Sequence, residues 1–165
     1  QHEKSLIPIL SYYQNHYIRI YFKNIGKIEK INQIMKNHQY ILYCKKCLNR
    51  EVSSLPLKQY CSCKNKFDFI GPVYTSSLQD KKLLDYISKN LSDKLIKTLK
   101  QEMEIVGFYN LHKLCKAYKI QIPKFSDLIK KIKSKNYRVS KTHFSPLGIK
   151  TNMPLNKLIK IISSK

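Results

Sequence analysis

The chain has 165 residues, of which 42% are hydrophobic and 25% charged, so it fits one domain or two small ones around a buried core. Plentiful apolar and aromatic residues exclude a disordered chain, and the lack of an 18-residue apolar run or a lipidation motif leads us to predict no membrane partner. Thirty-two Lys and Arg residues against ten acids give a net charge of +22, which favours nucleic acid as the partner before an anionic membrane surface.

The amino-terminal part is predicted to be rich in strands. Residues 17–22 alternate with period two, which places Ile18, Ile20 and Phe22 on one face of a strand and Tyr17, Arg19 and Tyr21 on the other. Residues 27–37 show a short helical spacing. Strands are expected at 39–43 and 66–70, the second of them ended by Gly71-Pro72.

Residues 78–106 change to a helical pattern. The apolar spacing predicts two consecutive helices, or one long helix broken near Asn90. We expect Ser92 to cap the second run and Gly107 to end it.

The last third is the most basic part of the chain. Residues 108–165 contain 14 basic residues and one acid, for a charge of +13, while the first 107 residues carry +9. An apolar stripe predicts a helix over 108–118, and Pro123 separates it from a second helix that carries basic residues away from its own stripe. Two short extended pieces follow, and then a final helix with Asn152 as its expected cap and Pro154 in its first turn.

This order of elements suggests the fold class. A helix, a turn, a basic helix and two strands follow one another as in a winged helix-turn-helix module, although many small α+β domains share the order. We predict a mixed α+β fold, in which a zinc-ribbon-like strand region is followed by helices and a winged-helix-like carboxy-terminal module. The predicted division is 1–107, with the cysteine site and two helices, and 108–165, the basic module.

Four of the five cysteines form two tight pairs, Cys44 with Cys47 and Cys61 with Cys63, thirteen residues apart. Two such pairs can surround one zinc ion with four sulfurs, and the first pair follows a predicted strand as in a zinc ribbon. The alternative is four buried thiols or a redox pair, but redox chemistry favours a helix after Cys-x-x-Cys and a loop follows here. Four sulfurs leave no position for substrate, so we predict a structural zinc. Cys115 lies on an apolar stripe and is expected in the core.

A long motif near the carboxy terminus resembles a known signature. Residues 137–152 read YRVSKTHFSPLGIKTN, which closely resembles the Y-R-x-S-x-T-H-x-x-P-x-G-I-K-T-D signature of tRNA guanine-26 N(2)-dimethyltransferases. Residues 71–74 are similar to the family's G-P-I-W segment, and residues 17–21 to its Y-V-R-V-F strand. Tyr74 stands where Trp is common and Asn152 where Asp is common, which affects the local contacts of those two positions.

The resemblance implies a function for the chain. In this family an N-terminal Rossmann-like domain binds S-adenosylmethionine and methylates a tRNA guanine. No Gly-rich nucleotide loop and no D-P-F-G-type segment occur in this sequence. We therefore expect a piece of a longer enzyme, the tRNA-binding C-terminal domain, inactive alone and partnered by tRNA and its own N-terminal methyltransferase domain. The implied cofactors are zinc in this chain and S-adenosylmethionine in the absent domain. An intracellular location is expected, with nucleus, cytoplasm and mitochondrion left open.

Candidate RNA contacts come from the predicted wing and the helix before it. Arg138 and Lys150 would project from neighbouring strands, and Lys141 and His143 would lie in the loop between them. The basic helix adds Lys130, Lys131 and Lys133. Lys contacts phosphate as a point charge, whereas Arg adds a bidentate fork. The alternatives are a merely solvated lysine face and a buried, hydrogen-bonding His143.

Two other functions compete with tRNA binding. The first is a zinc-containing winged-helix module that binds DNA, and the second is a free-standing thiol enzyme. The tail signature argues against the first, since a transcription factor has no reason to carry it. The thiol enzyme needs an acid or base near a reactive cysteine, and the sequence indicates none.

Overall fold

The computed structural model describes residues 4–26 and 28–164. Within them the strands are β1 Leu6–Gln14, β2 Tyr17–Asn24, β3 His38–Tyr43, β4 Arg50–Ser53, β5 Asp68–Tyr74, β6 Tyr109–Asn110, β7 Val139–Lys141 and β8 Gly148–Thr151. The helices are α1 Ile28–Lys36, α2 Lys81–Asn90, α3 Lys94–Gln101, α4 Leu111–Tyr118, α5 Phe125–Ser134 and α6 Leu155–Ser163. The mixed α+β class is confirmed.

The strands form three small antiparallel sheets. β1 pairs with β2, β3 lies between β4 and β5, and β8 lies between β6 and β7. The predicted strands at β2 and β3 are confirmed, whereas β1 and β4 were not predicted. In β1 the run Leu6-Ile-Pro-Ile-Leu lacks the alternation that identified β2.

The expectation that Gly71-Pro72 ends a strand is wrong, because β5 continues through the pair to Tyr74. The ladder to β3 shifts register at this point, between Gln39 and Ile41. The irregularity leaves Gly71 and Pro72 outside the regular pairing, so the missing N–H of proline breaks no ladder hydrogen bond. The peptide bond between the two residues is cis.

The helical region divides as predicted into two helices, α2 and α3, but their caps differ from the prediction. Asp93, not Ser92, caps α3: its carboxylate accepts from the N–H groups of Leu95 at 2.7 Å and Ile96 at 3.1 Å. A carboxylate at this position also complements the positive end of the helix dipole. The helix ends at Gln101, well before Gly107.

The part from β6 to α6 encloses the largest core cluster. Its buried members come from α4, α5, α6, β8 and the turn before α6: Leu111, Leu114, Cys115, Leu128, Ile132, Ile149, Met153, Leu158 and Ile162. The core placement of Cys115 is confirmed. The predicted cap of α6 is wrong, because Asn152 instead accepts a hydrogen bond from the N–H of Arg138 at 2.8 Å and so joins the ends of β7 and β8.

Two smaller clusters lie in the amino-terminal part. One joins the hairpin formed by β1 and β2 to the helices α2 and α3 through Leu10, Leu84, Ile96 and Leu99. The other surrounds the cysteines with Leu42 and Phe67. The division of the chain at residue 107 stays a prediction. No helix among residues 4–26 and 28–164 has both the length and the apolar character needed to cross a membrane.

Candidate functional site

The two cysteine pairs lie on two turns of similar design. In the first, the Cys44 N–H donates to the carbonyl of Asn49 and its carbonyl accepts from Leu48. In the second, Cys61 makes the same two bonds with Asn65 and Lys64. Leu48 and Lys64 both adopt a positive φ, near 61° and 64°, which closes each turn and directs both of its sulfurs to one side.

The four sulfur atoms of Cys44, Cys47, Cys61 and Cys63 all lie within 4.8 Å of one another. The Cys44–Cys63 and Cys47–Cys61 pairs are both 3.5 Å apart, so each short contact joins one turn to the other. A tetrahedral zinc with bonds of about 2.3 Å needs its sulfurs about 3.8 Å apart. The donor set and its spacing therefore fit zinc, and the site is closed by four protein ligands.

Two asparagines support the sulfurs, and sequence reasoning missed both. The side-chain amide of Asn65 donates to the Cys63 sulfur at 3.4 Å, and that of Asn49 donates to the Cys61 sulfur at 3.7 Å. Hydrogen bonds from Asn65 hold the pKa of Cys63 at about 6, which favours the thiolate that a metal requires. The available signal was an Asn two residues after the last cysteine of each pair.

The cysteine region is fastened directly to the carboxy-terminal part. The hydroxyl of Tyr118, on α4, donates to the carbonyl of Cys47 at 3.0 Å, and Leu48 packs against the large core cluster. Because the site contacts α4, ordering these turns also orders a surface for α4. The four-cysteine cluster is typical of a structural and not a catalytic metal site, because four sulfurs leave no coordination position open for substrate.

Arg50 joins the start of β4 to the segment around β6, a contact that the sequence did not predict. Its guanidinium lies 3.7 Å from the centre of the Tyr109 ring and donates to the carbonyl of Phe108. Burial lowers its pKa, and the Tyr109 contact offsets part of that loss. Gly107 makes the approach possible, because its φ is +74° and a Cβ there would meet the Arg50 side chain at 2.8 Å.

Two predicted RNA-contact residues, His143 and Lys150, lie in a buried network around Glu102. The carboxylate accepts from His143 Nδ1 at 2.8 Å, from the His143 N–H at 2.9 Å and from Lys150 Nζ at 2.8 Å. The side chains are 8% exposed for His143, 17% for Lys150 and 3% for Glu102. These three hydrogen bonds outweigh burial, which acts to raise the pKa of Glu102, and the net pKa is lowered.

His143 also reaches the amino-terminal hairpin. The N–H of Tyr13 donates to its Nε2 atom at 3.0 Å, so Nδ1 carries the proton that is donated to Glu102. The ring thereby links β1, the segment after α3 and the loop between β7 and β8. Its neighbours already use both nitrogens, which leaves neither for phosphate.

The remaining predicted contacts are exposed residues of α5 and of the segment at β7, together named the α5–β7 surface: Lys130, Lys131, Lys133, Arg138 and Lys141. Lys131 donates to the carbonyl of Ser164 at 2.6 Å, and Lys141 lies 5.1 Å from the centre of the Phe125 ring. Within residues 4–26 and 28–164, the side chains of Lys130, Lys133 and Arg138 have no hydrogen-bond or ion-pair partner. Among the predicted RNA contacts, these three cations are the most available to an external anion.

The fold and the site define a mixed α+β chain with a closed cluster of four cysteines, whose spacing fits a metal ion, and with exposed basic residues. The family model for N2,N2-dimethylguanosine tRNA methyltransferase matches residues 1–163. The chain belongs to this family.

Its relatives are named as tRNA methyltransferases. The tRNA (guanine(26)-N(2))-dimethyltransferase of Methanosphaera stadtmanae is 32% identical over 97% of the chain and 45% of the relative. The tRNA (guanine(26)-N(2)/guanine(27)-N(2))-dimethyltransferase of Aquifex aeolicus is 29% identical over 97% and 43%. The structure of Trm1 from Pyrococcus horikoshii with S-adenosyl-L-methionine superposes with a TM-score of 0.85 at 28% identity, covering 98% of this chain and 44% of that one. The chain thus spans less than half the length of these relatives.

Proposed function

We propose that this chain is the tRNA-binding half of a tRNA (guanine-26 N(2))-dimethyltransferase and that it positions tRNA for a methyltransferase domain elsewhere in the same protein. Family membership supplies the reaction and substrate class. The observation that carries the binding role is the α5–β7 surface, where Lys130, Lys133 and Arg138 are exposed and have no partner among the described residues. Phosphate contacts by such cations dominate affinity for nucleic acids.

The order of elements around this surface supports a winged-helix-like module. A short strand, β6, is followed by α4, by the basic helix α5 and by the β7–β8 hairpin, with β8 in the middle of the sheet. In winged-helix proteins the second helix of the pair and the hairpin both meet nucleic acid. We assign tRNA rather than duplex DNA as the partner because of the family.

The binding set is narrower than the sequence alone indicated. His143 and Lys150 are engaged with Glu102, so we assign them a positioning role between β1 and the β7–β8 loop. Lys131 and Lys141 have internal contacts and are expected to contribute less. Arg138 is expected to contribute most, because its guanidinium has no partner in the described part of the chain and can form a bidentate contact with phosphate.

A tRNA titration across a salt series tests the binding role. About five phosphate contacts predict a log–log slope of roughly −3 to −5. We expect Arg138→Ala to weaken binding about tenfold and Lys131→Ala to change it less, since a hydrogen bond to a charged group contributes about 1.5 to 3 kcal/mol. Arg19→Ala is the matched control, because Arg19 is exposed on β2 and bonds the hydroxyl of Tyr12 instead. A flat salt dependence would contradict the phosphate account, and duplex DNA competing as well as tRNA would favour the DNA-binding alternative.

We also propose one structural zinc per chain, held by Cys44, Cys47, Cys61 and Cys63. Metal analysis should give stoichiometric zinc in wild type and loss of zinc in Cys44→Ser. Cys115→Ser is the control, because Cys115 is equally a buried thiol but lies in the separate core cluster. Zinc retained by Cys44→Ser with an unchanged melting temperature would remove this assignment.

S-adenosylmethionine is assigned to the rest of the protein. The chain alone should transfer no methyl group from labelled S-adenosylmethionine to undermodified tRNA, because it lacks the Gly-rich loop expected of the cofactor site. Turnover above background, or saturable cofactor binding, would contradict this division of labour.

A further inference from the structure

The β1–β2 hairpin carries an apolar face that the described chain leaves open. All eight residues of β2 are exposed, and five large apolar side chains on one face of the hairpin are between 43% and 69% exposed: Leu6, Tyr13, Ile18, Ile20 and Phe22. Large exposed apolar patches on a soluble domain mark interaction sites.

The register shows that these side chains share a face. Pro8 lies opposite Phe22, Ser11 opposite Ile20 and Tyr13 opposite Ile18, and the bulge between Pro8 and Leu10 preserves this alternation. The other face of the hairpin presents Leu10 and Tyr12, which pack against α2 and α3. Helices therefore cover the β1 part of this face, while Tyr17, Arg19 and Tyr21 of β2 stay exposed on it. The opposite face has no helical layer within residues 4–26 and 28–164.

The two edges of the hairpin differ in hydrogen bonding: the outer edge of β1 has partners, and the outer edge of β2 has no partner strand in the described part of the chain. The outer edge of β1 is used: the Ile9 carbonyl accepts from Asp80 at 2.7 Å, the Ser11 carbonyl from the Gln79 side chain at 3.4 Å, and the Tyr13 N–H bonds His143. Because bonding directions alternate along an antiparallel pair, Ile18 and Ile20 direct their backbone groups away from β1. No partner strand for the outer edge of β2 exists in the described part of the chain.

We propose that β2 is an internal strand of the complete protein, and that its free edge pairs with a strand of the methyltransferase half while the apolar face packs against a helix of that half. The proposal rests on the proposed function, in which that half belongs to the same polypeptide. The chain spans 42 to 48% of the relatives it matches, which leaves a domain-sized segment to cover this surface. An exposed eight-residue edge strand with an apolar face is otherwise an aggregation hazard.

A second copy of the chain is a less favourable occupant. Each chain carries a net charge of +22, and β2 itself contributes Arg19 and Lys23, so edge-to-edge pairing of two copies brings like charges together. A strand from the other half adds backbone hydrogen bonds without that repulsion.

Hydrogen exchange on the full-length polypeptide and on the 165-residue chain tests the proposal. The amides of Ile18 and Ile20 should exchange at least about 100-fold more slowly in the full-length protein, because an edge strand opens freely and an internal strand opens only with larger unfolding. Equal rates in the two proteins overturn the proposal. Protection that appears in the 165-residue chain and rises with its concentration also overturns it, in favour of self-pairing.

Variants of the full-length protein separate the edge from the face. Ile20→Pro removes an outward N–H, and Ile18→Asp places a charge on the apolar face; each should remove the protection of β2. Tyr86→Asp is the matched control, because Tyr86 on α2 is 69% exposed, as is Ile18, and should leave β2 protected. Unchanged amide protection in α4 and α6 shows that each variant is folded. If β2 stays protected in both hairpin variants, the proposal that β2 docks on the methyltransferase half is wrong.

The tRNA titration distinguishes failure of this proposal from failure of the proposed function. In the 165-residue chain, Ile18→Asp should leave tRNA affinity within about twofold of wild type, because β2 lies outside the α5–β7 surface. Loss of tRNA binding in that variant would contradict the separation of the docking surface from the RNA surface.

Discussion

The carboxy-terminal part and the amino-terminal hairpin of this chain are stabilised in opposite ways. From β6 to α6, nine buried residues from three helices, a strand and a turn surround one another in a single core cluster. The β1–β2 hairpin contributes one buried apolar residue, Leu10, and exposes its whole second strand. The difference shows that one part contains its own stabilising contacts, while the other depends on polar links and on a surface that we assign to the methyltransferase half.

The largest difference should appear between a core leucine and an exposed hairpin isoleucine. Leu158 on α6 is fully buried, so Leu158→Ala should cost about 2 to 5 kcal/mol of unfolding free energy through lost burial and a cavity. Ile18→Ala in the 165-residue chain should lie within about 0.5 kcal/mol of wild type. Urea unfolding measures both free energies. Equal losses would contradict the conclusion that the two parts are stabilised in different ways.

The Glu102 network should contribute less, and its contribution should depend on pH. Glu102→Gln is expected to cost about 2 kcal/mol near neutral pH, since it removes the charge that pairs with Lys150 and accepts from His143. The folded state lowers the pKa of Glu102, so its stabilisation is fully present above the unfolded value of 4.5 and is lost as pH falls through the folded pKa.

Unfolding measured at several pH values checks the sign of this effect. The stability difference between wild type and Glu102→Gln should be constant from pH 7 to about pH 5 and should shrink below about pH 4.5. A difference that grows as the pH falls would contradict the assigned role. The Asp85–Lys100 ion pair provides a control, because both side chains are about half exposed and Asp85→Asn should cost little.

The smallest effect is expected at the contact between the cysteine turns and α4. Tyr118→Phe removes the hydrogen bond to the Cys47 carbonyl and should cost about 1 kcal/mol. Zinc content should not change, because Tyr118 contacts the turn backbone and not a sulfur. A loss of zinc would show that this contact holds the first turn in place. Tyr86→Phe, at an exposed position, should have no measurable effect.

Some features were determined by the sequence alone because they depend on short-range pattern. The Cys44/Cys47 and Cys61/Cys63 pairs predicted a four-sulfur cluster, since closely spaced cysteines converge wherever each turn closes. Apolar periodicity predicted the two helices α2 and α3 and the core position of Cys115. The motif over 137–152 indicated the family, which the family model confirms over residues 1–163.

Other features were decided only by tertiary structure, because each depends on a partner distant in sequence. Glu102 lies 41 residues from His143 in the sequence. Only the fold shows that this carboxylate bonds both His143 and Lys150, so that neither belongs to the exposed basic surface. Arg50 reaches the carbonyl of Phe108 across 58 residues. The apolar alternation of β2 predicted the strand and its two faces, but which face is covered depends on the helices that pack there. Local periodicity sets secondary structure, whereas burial and pairing of charged groups follow from long-range packing.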